Sequence, residues 1–167
     1  MEAYVGLHKT RGLISRAIRW QTRGTYSHAS LIFVDPTSSM AIEAWHRGGV
    51  RCGPVGHLQN PDDPIDLYAV NAPFDLGNTL EFALEQVGKP YDFRMVAGFV
   101  SRRTREARRS LGKWFCSELV YAALEKGGLR LFNQTKPFEV SPDLLKRSTR
   151  LIYTKTIRAR NGKEFVL

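Results

Sequence analysis

Three residues of this chain carry side chains that can cooperate in one reaction. They are Cys116 in "KWFCSELVYAALEKGG" (113–128), His28 in "YSHASLIFV" (26–34) and Glu43 in "MAIEAWH" (40–46). A thiol attacks a carbonyl efficiently when an imidazole shuttles its proton and a third group orients that imidazole. Each residue also has a plain structural reading. Cys116 opens a helix and shares a face with Leu119, Val120, Ala123 and Leu124, a seam made to lie against a sheet. A helix start favours a thiolate, but the same position suits a buried structural cysteine. His28, flanked by small residues near the start of a strand, is either a base with room for a substrate or a satisfied, half-buried histidine.

The third group depends on strand register. If Val34 pairs with Thr37 across a tight turn, Glu43 comes beside His28. If Val34 pairs with Met40 across a longer loop, His46 faces His28 instead. A one-residue slip moves the whole second strand to the opposite face, so the two are exclusive. Glu43 sits in the apolar run "AIEAW", where a buried carboxylate needs a partner, and this favours it over His46. Tyr91 in "KPYDF" is a further candidate, either a packing tyrosine or a phenol donor that joins the Cys116 backbone N–H in an oxyanion hole.

The elements that must position these groups are legible in outline. Strands are expected over 3–8, 26–34, 40–46, 65–70 and 150–157, from their β-branched and aromatic content. Helices are expected over 12–24, 76–88, from 93 onward, over 116–126 capped by Gly127-Gly128, and after the turn "VSPD". In the first helix Leu13, Ala17 and Trp20 form one stripe, with Arg16, Arg19 and Arg23 largely elsewhere. The Gly- and Pro-rich stretch 47–64 reads as a loop. This order predicts an α+β fold of one domain over 1–167, with helices packed on an antiparallel sheet.

Composition sets the outer limits. With 167 residues, 43% of them apolar and 11% aromatic, the chain can bury an ordinary core. No apolar run reaches the roughly 18–20 residues of a membrane helix. The start "MEAYVGLHKTRG" lacks the order of a secretory signal, so a cytoplasmic protein is expected, with delivery by a phage or a secretion system as the other route. The two cysteines are expected to be free thiols, with Cys52 in "RCGPVG" structural. His8, His46 and His57 have no metal-ligand spacing with Cys52, so neither metal nor cofactor is expected. The net charge of +9 gathers in 8–23, 101–113 and 155–163. Arg102, Arg103, Arg105, Arg108 and Arg109 make the middle cluster a candidate for an anionic surface.

Taken in order, "YSHASLIF", "AIEAW", "GKPYDF", "FCSELVYAAL" and "VSPDLL" resemble the successive blocks of the circularly permuted, YiiX-like branch of the NlpC-type papain-fold cysteine hydrolases. The likeness covers about residues 1–153. It implies a permuted papain-like fold, Cys116 as nucleophile, His28 as base, Glu43 as orienting residue and Tyr91 near the thiol. There are departures. Ala29-Ser30 follows the histidine where a Val-Gly-like pair is usual, Phe115 precedes the cysteine in place of tyrosine, and the arginine-rich segment is unusually long. Lecithin-retinol acyltransferase-type enzymes are similar in layout but use a second histidine in the third place, the role His46 would take.

The leading expectation is a monomeric cysteine hydrolase that cleaves an amide, in a peptidoglycan stem peptide or another peptide or isopeptide, through an acyl-enzyme. A lipid acyl hydrolase or acyltransferase at an anionic membrane is the second reading. A non-catalytic basic module on nucleic acid is the third, and it is disfavoured because no aromatic platform accompanies the arginines.

Overall fold

The computed structural model describes residues 1–58, 63–98 and 112–158. The arginines of 101–113 named above therefore lie outside the described residues, as does the chain from 159. Six strands form one antiparallel sheet: β1 (Glu2–His8), β2 (His28–Val34), β3 (Ser39–Trp45), β4 (Gly49–Pro54), β5 (Pro64–Val70) and β6 (Leu151–Arg158), in the order β4-β3-β2-β1-β5-β6. The helices are α1 (Leu13–Thr22), α2 (Val55–Leu58), α3 (Leu76–Glu85), α4 (Phe93–Gly98), α5 (Cys116–Lys126) and α6 (Pro142–Leu145). This is the α+β architecture expected from the order of elements.

All seven residues of β2 are buried. Its alternation sends Ala29, Leu31 and Phe33 into the main core with α5, and Ile32 and Val34 into a smaller cluster with Ala41, Val55, Ile65 and Leu67. Helix α5 is buried from Cys116 through Leu124 and packs between β2, β3 and α3. Fully burying a side chain such as Leu119 or Leu124 contributes about 1.5–3 kcal/mol.

One expectation needs correcting, and one helix face is settled. The stretch 47–64 is not all loop, because Gly49–Pro54 pairs along β3 and the turn of α2 follows. Its glycines and proline hid the strand, which is an edge strand, where such residues are tolerated. The stripe Leu13, Ala17, Trp20 of α1 does not pack inward: Ser15 and Ile18 are the buried residues of that helix, and Leu13 and Trp20 stand out in solvent.

Neither proposed register of β2 and β3 occurs. Val34 pairs with Ser39. The four-residue loop between them is closed by Asp35, whose Oδ1 accepts the N–H groups of Thr37 (2.7 Å) and Ser38 (2.8 Å). This register keeps the parity of the tight-turn alternative, so His28 and Glu43 still share a face.

Strand β4 enters the sheet through a tight contact with residues 88–90. Gly49 has φ 76°, and a Cβ there would meet the Lys89 carbonyl oxygen at 2.2 Å. The Val50 N–H donates to that same oxygen, and Gly88 N–H donates to Val50 O, both at 2.8 Å. Gly48, with φ 92°, has open space around it. Gly49→Ala is therefore expected to cost roughly 2 kcal/mol or more, from strain plus a backbone clash, and Gly48→Ala about 1 kcal/mol from strain alone. Denaturant unfolding of the two variants checks the difference.

Candidate active site

Chain segments far apart in sequence converge at one end of the sheet. His8 ends β1, His28 begins β2, and the two are directly paired across strands. On β3, Glu43 pairs with Arg51 of β4. Cys116 is the first residue of α5, wholly buried.

These groups form a connected line of charge and hydrogen bonds. Glu43 Oε2 lies 2.6 Å from His28 Nε2. Arg51 donates to Glu43 Oε1 through Nε (2.8 Å) and Nη2 (2.5 Å), and Nη2 also donates to the Leu58 carbonyl. The Cys116 side chain lies close enough to the His28 ring to help raise its pKa. With Nε2 taken by Glu43, the ring nitrogen left for sulfur is Nδ1. Trp45 closes the side of the imidazole edge-on, with ring centroids 4.8 Å apart.

The electrostatics follow from burial and pairing. Burial alone would push the His28 pKa down, but the Glu43 carboxylate and the Cys116 hydrogen bond raise it to about 9. Burial would push Glu43 up, but the charge of His28, its hydrogen bond and Arg51 hold it down at about 2. The pair is thus favoured as imidazolium and carboxylate. Tyr91 is buried too. Burial, and then negative charge at Cys116, hold its phenol well above the ordinary value, so it stays a protonated donor.

Tyr91 and Cys116 are held together by main chain. Trp114 N–H donates to Pro90 O and Asp92 N–H donates to Trp114 O, both at 3.0 Å, so 90–92 runs parallel to the residue two before the cysteine. The Trp114 indole donates to Gln86 Oε1 at 3.1 Å. From the other side, Ser117 Oγ donates to Val140 O at 2.5 Å. Asp143 Oδ1, just beyond, accepts the Thr25 N–H at 2.7 Å and fixes the chain where it enters β2. The block "VSPDLL" thus braces both the cysteine helix and the histidine strand.

A narrow slot leads to this cluster, lined by Ile14, Ser15, His28, Trp45, His46 and Tyr91 among others. A far larger cavity, about 590 Å³, is lined by Phe82, Trp114, Lys126 and Phe138, and none of the candidate residues reaches it. His28 and Tyr91 line the slot, while Cys116 and Glu43 lie buried behind them.

Of the residues singled out from sequence, Cys116, His28, Glu43 and Tyr91 come together. His46 does not orient the ring, since Glu43 occupies the place against Nε2; it stacks beside Trp45 at 4.8 Å, half-buried in the slot wall. Cys52 is a free thiol on β4, opposite Ile42. Two residues were missed. Arg51 was hidden in the supposed loop. His8 lies 5.0 Å from His28 between ring centroids, with Nε2 2.8 Å from Ser30 Oγ and a buried Nδ1 without a partner among the described residues. Burial, and then the charge of His28, push His8 down to about 3. Strands β1 and β2 end flush, which pairs His8 with His28, and no local sequence pattern announces that register. Together His8, His28 and Glu43 present three metal-ligating atoms within 4.8 Å of one another, a grouping that the spacing test against Cys52 did not reveal.

A family model described as "Permuted papain-like amidase enzyme, YaeF/YiiX, C92 family" matches residues 7–149. The structure is similar to the crystal structure of metalloprotein yiiX from Escherichia coli O157:H7, with a TM-score of 0.70 at 17% identity, over 95% of this chain and 98% of that one. At that identity the likeness is one of fold. No curated protein matches the chain.

The shifts predict a dome-shaped pH–stability curve. Folded His28 holds its proton up to about pH 9, above the unfolded value near 6.5, so its stabilisation is complete below pH 6.5 and is lost as pH rises toward 9. Folded His8 refuses a proton until about pH 3, so stability also falls as pH drops below 6.5. Glu43 loses its share only as pH falls below its unfolded value toward 2. Thermal unfolding across pH 4–10 should show both flanks, and Glu43→Gln should flatten the alkaline one.

Proposed function

Because the chain belongs to the permuted papain-like amidase family of the YaeF/YiiX type, we propose that Cys116, His28 and Glu43 are its catalytic triad and hydrolyse an amide through an acyl-enzyme. The observation that carries this reading is the buried line from Arg51 through Glu43 to the His28 imidazole and the Cys116 thiol. In the resting site the imidazolium gives its Nε2–H to Glu43 and its Nδ1–H to sulfur, which is then a thiolate. Sulfur attacks the amide carbon. The oxyanion that forms is met by the Cys116 N–H, which at the first position of α5 has no acceptor within the helix, and by the Tyr91 hydroxyl. His28 passes its Nδ1 proton to the departing amine, leaving a thioester. Water, deprotonated by the now neutral imidazole, attacks the thioester and releases the acid, and the sulfur leaves as thiolate beside a restored imidazolium.

Arg51 has a role distinct from charge balance alone. Pinned to both Glu43 Oε1 and the Leu58 carbonyl, it stops the carboxylate from turning away from Nε2. It is a positioning residue, since it acts through Glu43. The substrate class we propose is a peptide or isopeptide, in keeping with the amidase description of the family.

The relative's title calls it a metalloprotein, and the donor set His8, His28 and Glu43 bears on whether a metal serves here. Oxygen and nitrogen ligands stand about 2.0–2.2 Å from a zinc ion, which sets them about 3 Å or more from one another. His28 Nε2 and Glu43 Oε2 are 2.6 Å apart and share a proton, and Arg51 already places a positive charge on the same carboxylate. The donor set does not fit a metal as it stands, and no step of the proposed reaction uses one.

Reactivity of the thiol tests the function most directly. A thiol-selective alkylating agent should modify Cys116 faster than Cys52, and His28→Ala should suppress this. If Cys116 reacts only as an ordinary or inaccessible thiol, the amidase reading fails. Against a panel of peptides, cell-wall stem peptides and N-acyl lipids, Cys116→Ala should abolish turnover. Tyr91→Phe should lower kcat by about 10²–10³ with little change in KM, as expected for a donor used only in the transition state. Turnover should survive treatment with a chelator.

A further inference from the structure

The helix beside the slot exposes the two large side chains of its apolar stripe. Leu13 is 83% and Trp20 77% exposed, and these are the two largest exposures among the apolar side chains of the described residues. The orientation is fixed from within. Ser15 Oγ bonds Thr10 Oγ1 at 2.7 Å, and Arg19 Nη1 donates to Thr10 O at 2.7 Å and to Ser27 Oγ at 3.2 Å. Rolling α1 to hide Trp20 would break those bonds, so the exposure is built in.

The outer face of α1 carries Leu13, Arg16 and Trp20, at spacings of three and four, and Arg23, the left-handed residue that caps the helix, is exposed just past its end. Leu13 and Trp20 stand about two turns, roughly 10 Å, apart along the axis. No Asp or Glu occurs from residue 3 to residue 34. Among the described residues neither Arg16 nor Arg23 forms an ion pair, and Arg11 at the helix entry is 80% exposed even though it lies 3.6 Å from Asp63. The adjoining helix α4 contributes Phe93, 54% exposed, and an exposed Arg94. Inside, Ile14, Ser15 and Ile18 line the slot, and the Phe93 ring lies 5.1 Å from that of Tyr91.

We propose that the outer face of α1 docks the protein on an anionic lipid bilayer. Leu13 and Trp20 enter the headgroup layer, where an amphipathic ring is most at home, and Arg16 and Arg23 pair with lipid phosphates. Apolar side chains set between guanidinium groups match a surface that has hydrocarbon beneath its phosphates. A nucleic acid offers the phosphates without the hydrocarbon. The helix lies on the surface and does not cross it, and no helix among the described residues is long and apolar enough to span a membrane. Docked this way, the slot opens beside the interface. The inference rests on the placement of α1 and is independent of the proposed chemistry at Cys116.

The test uses the full chain with phosphatidylcholine vesicles, with and without phosphatidylglycerol, followed by co-sedimentation and tryptophan emission. Binding to the anionic vesicles with a blue shift is expected, together with weak binding to the neutral ones. Leu13→Ser with Trp20→Ser should abolish both signals. Arg16→Gln with Arg23→Gln should lower the partition coefficient at least about tenfold, since each basic residue near an anionic surface adds a several-fold gain. Both double variants should keep the wild-type circular dichroism and Cys116 alkylation rate, which separates lost docking from lost folding. Equal binding to the two vesicle types, binding unchanged in either variant, or a dimer that dissociates on Trp20→Ser without any vesicle binding would each overturn the proposal.

Discussion

A carboxylate buried in an apolar strand constrains everything around it. Glu43 is wholly buried, and a lone charge there would be very costly. It is tolerated because both its oxygens are engaged, one by His28 and one by Arg51. That requirement ties three strands together: β2 for the imidazole, β3 for the carboxylate, and β4 for the guanidinium. A slip of one residue between β2 and β3 would turn Glu43 to the other face and leave the charge stranded. The Asp35 turn, which sets the register, therefore supports the site from the far end of the hairpin.

The second organising element is α5, which carries the thiol. A helix buried on nearly all sides has little freedom to rotate, and its first turn is further held by Val140 on one side and by the Trp114 bridge to residues 90–92 on the other. Tyr91 is delivered by that same bridge, and Gly49 lets β4 press against its root at Lys89. The donor, the thiol and the imidazole are thus set by backbone contacts more than by their own side-chain bonds.

How much of this was visible in the sequence depended on whether the signal was local. The cysteine helix, the histidine strand and the Glu43 strand were legible because their hydrophobic periods are clean and their neighbours agree. The four-residue turn was not, since it relies on Asp35 folding back on its own main chain, and neither of the two loop lengths weighed, the favoured tight turn or the five-residue loop, is the one that forms. Strand β4 was concealed because an edge strand tolerates the glycines and proline that usually mark a loop. For α1 the periodicity gave the stripe but not the way it faces: polar bonds from Ser15 and Arg19 to the end of β1 and the approach to β2 outweigh the burial of one tryptophan. His8 and Arg51 were missed for a single reason. Their significance comes from cross-strand pairing, which no nearby residue announces.

The tie between Asp143 and Thr25 spans 118 positions of sequence. Between those two points lie every group proposed for the reaction and most of the sheet. A chain emerging from the ribosome presents its imidazole early and its thiol much later, and the brace that seats both arrives last of all. The contact that ties the two elements together can therefore form only when most of the chain has been made.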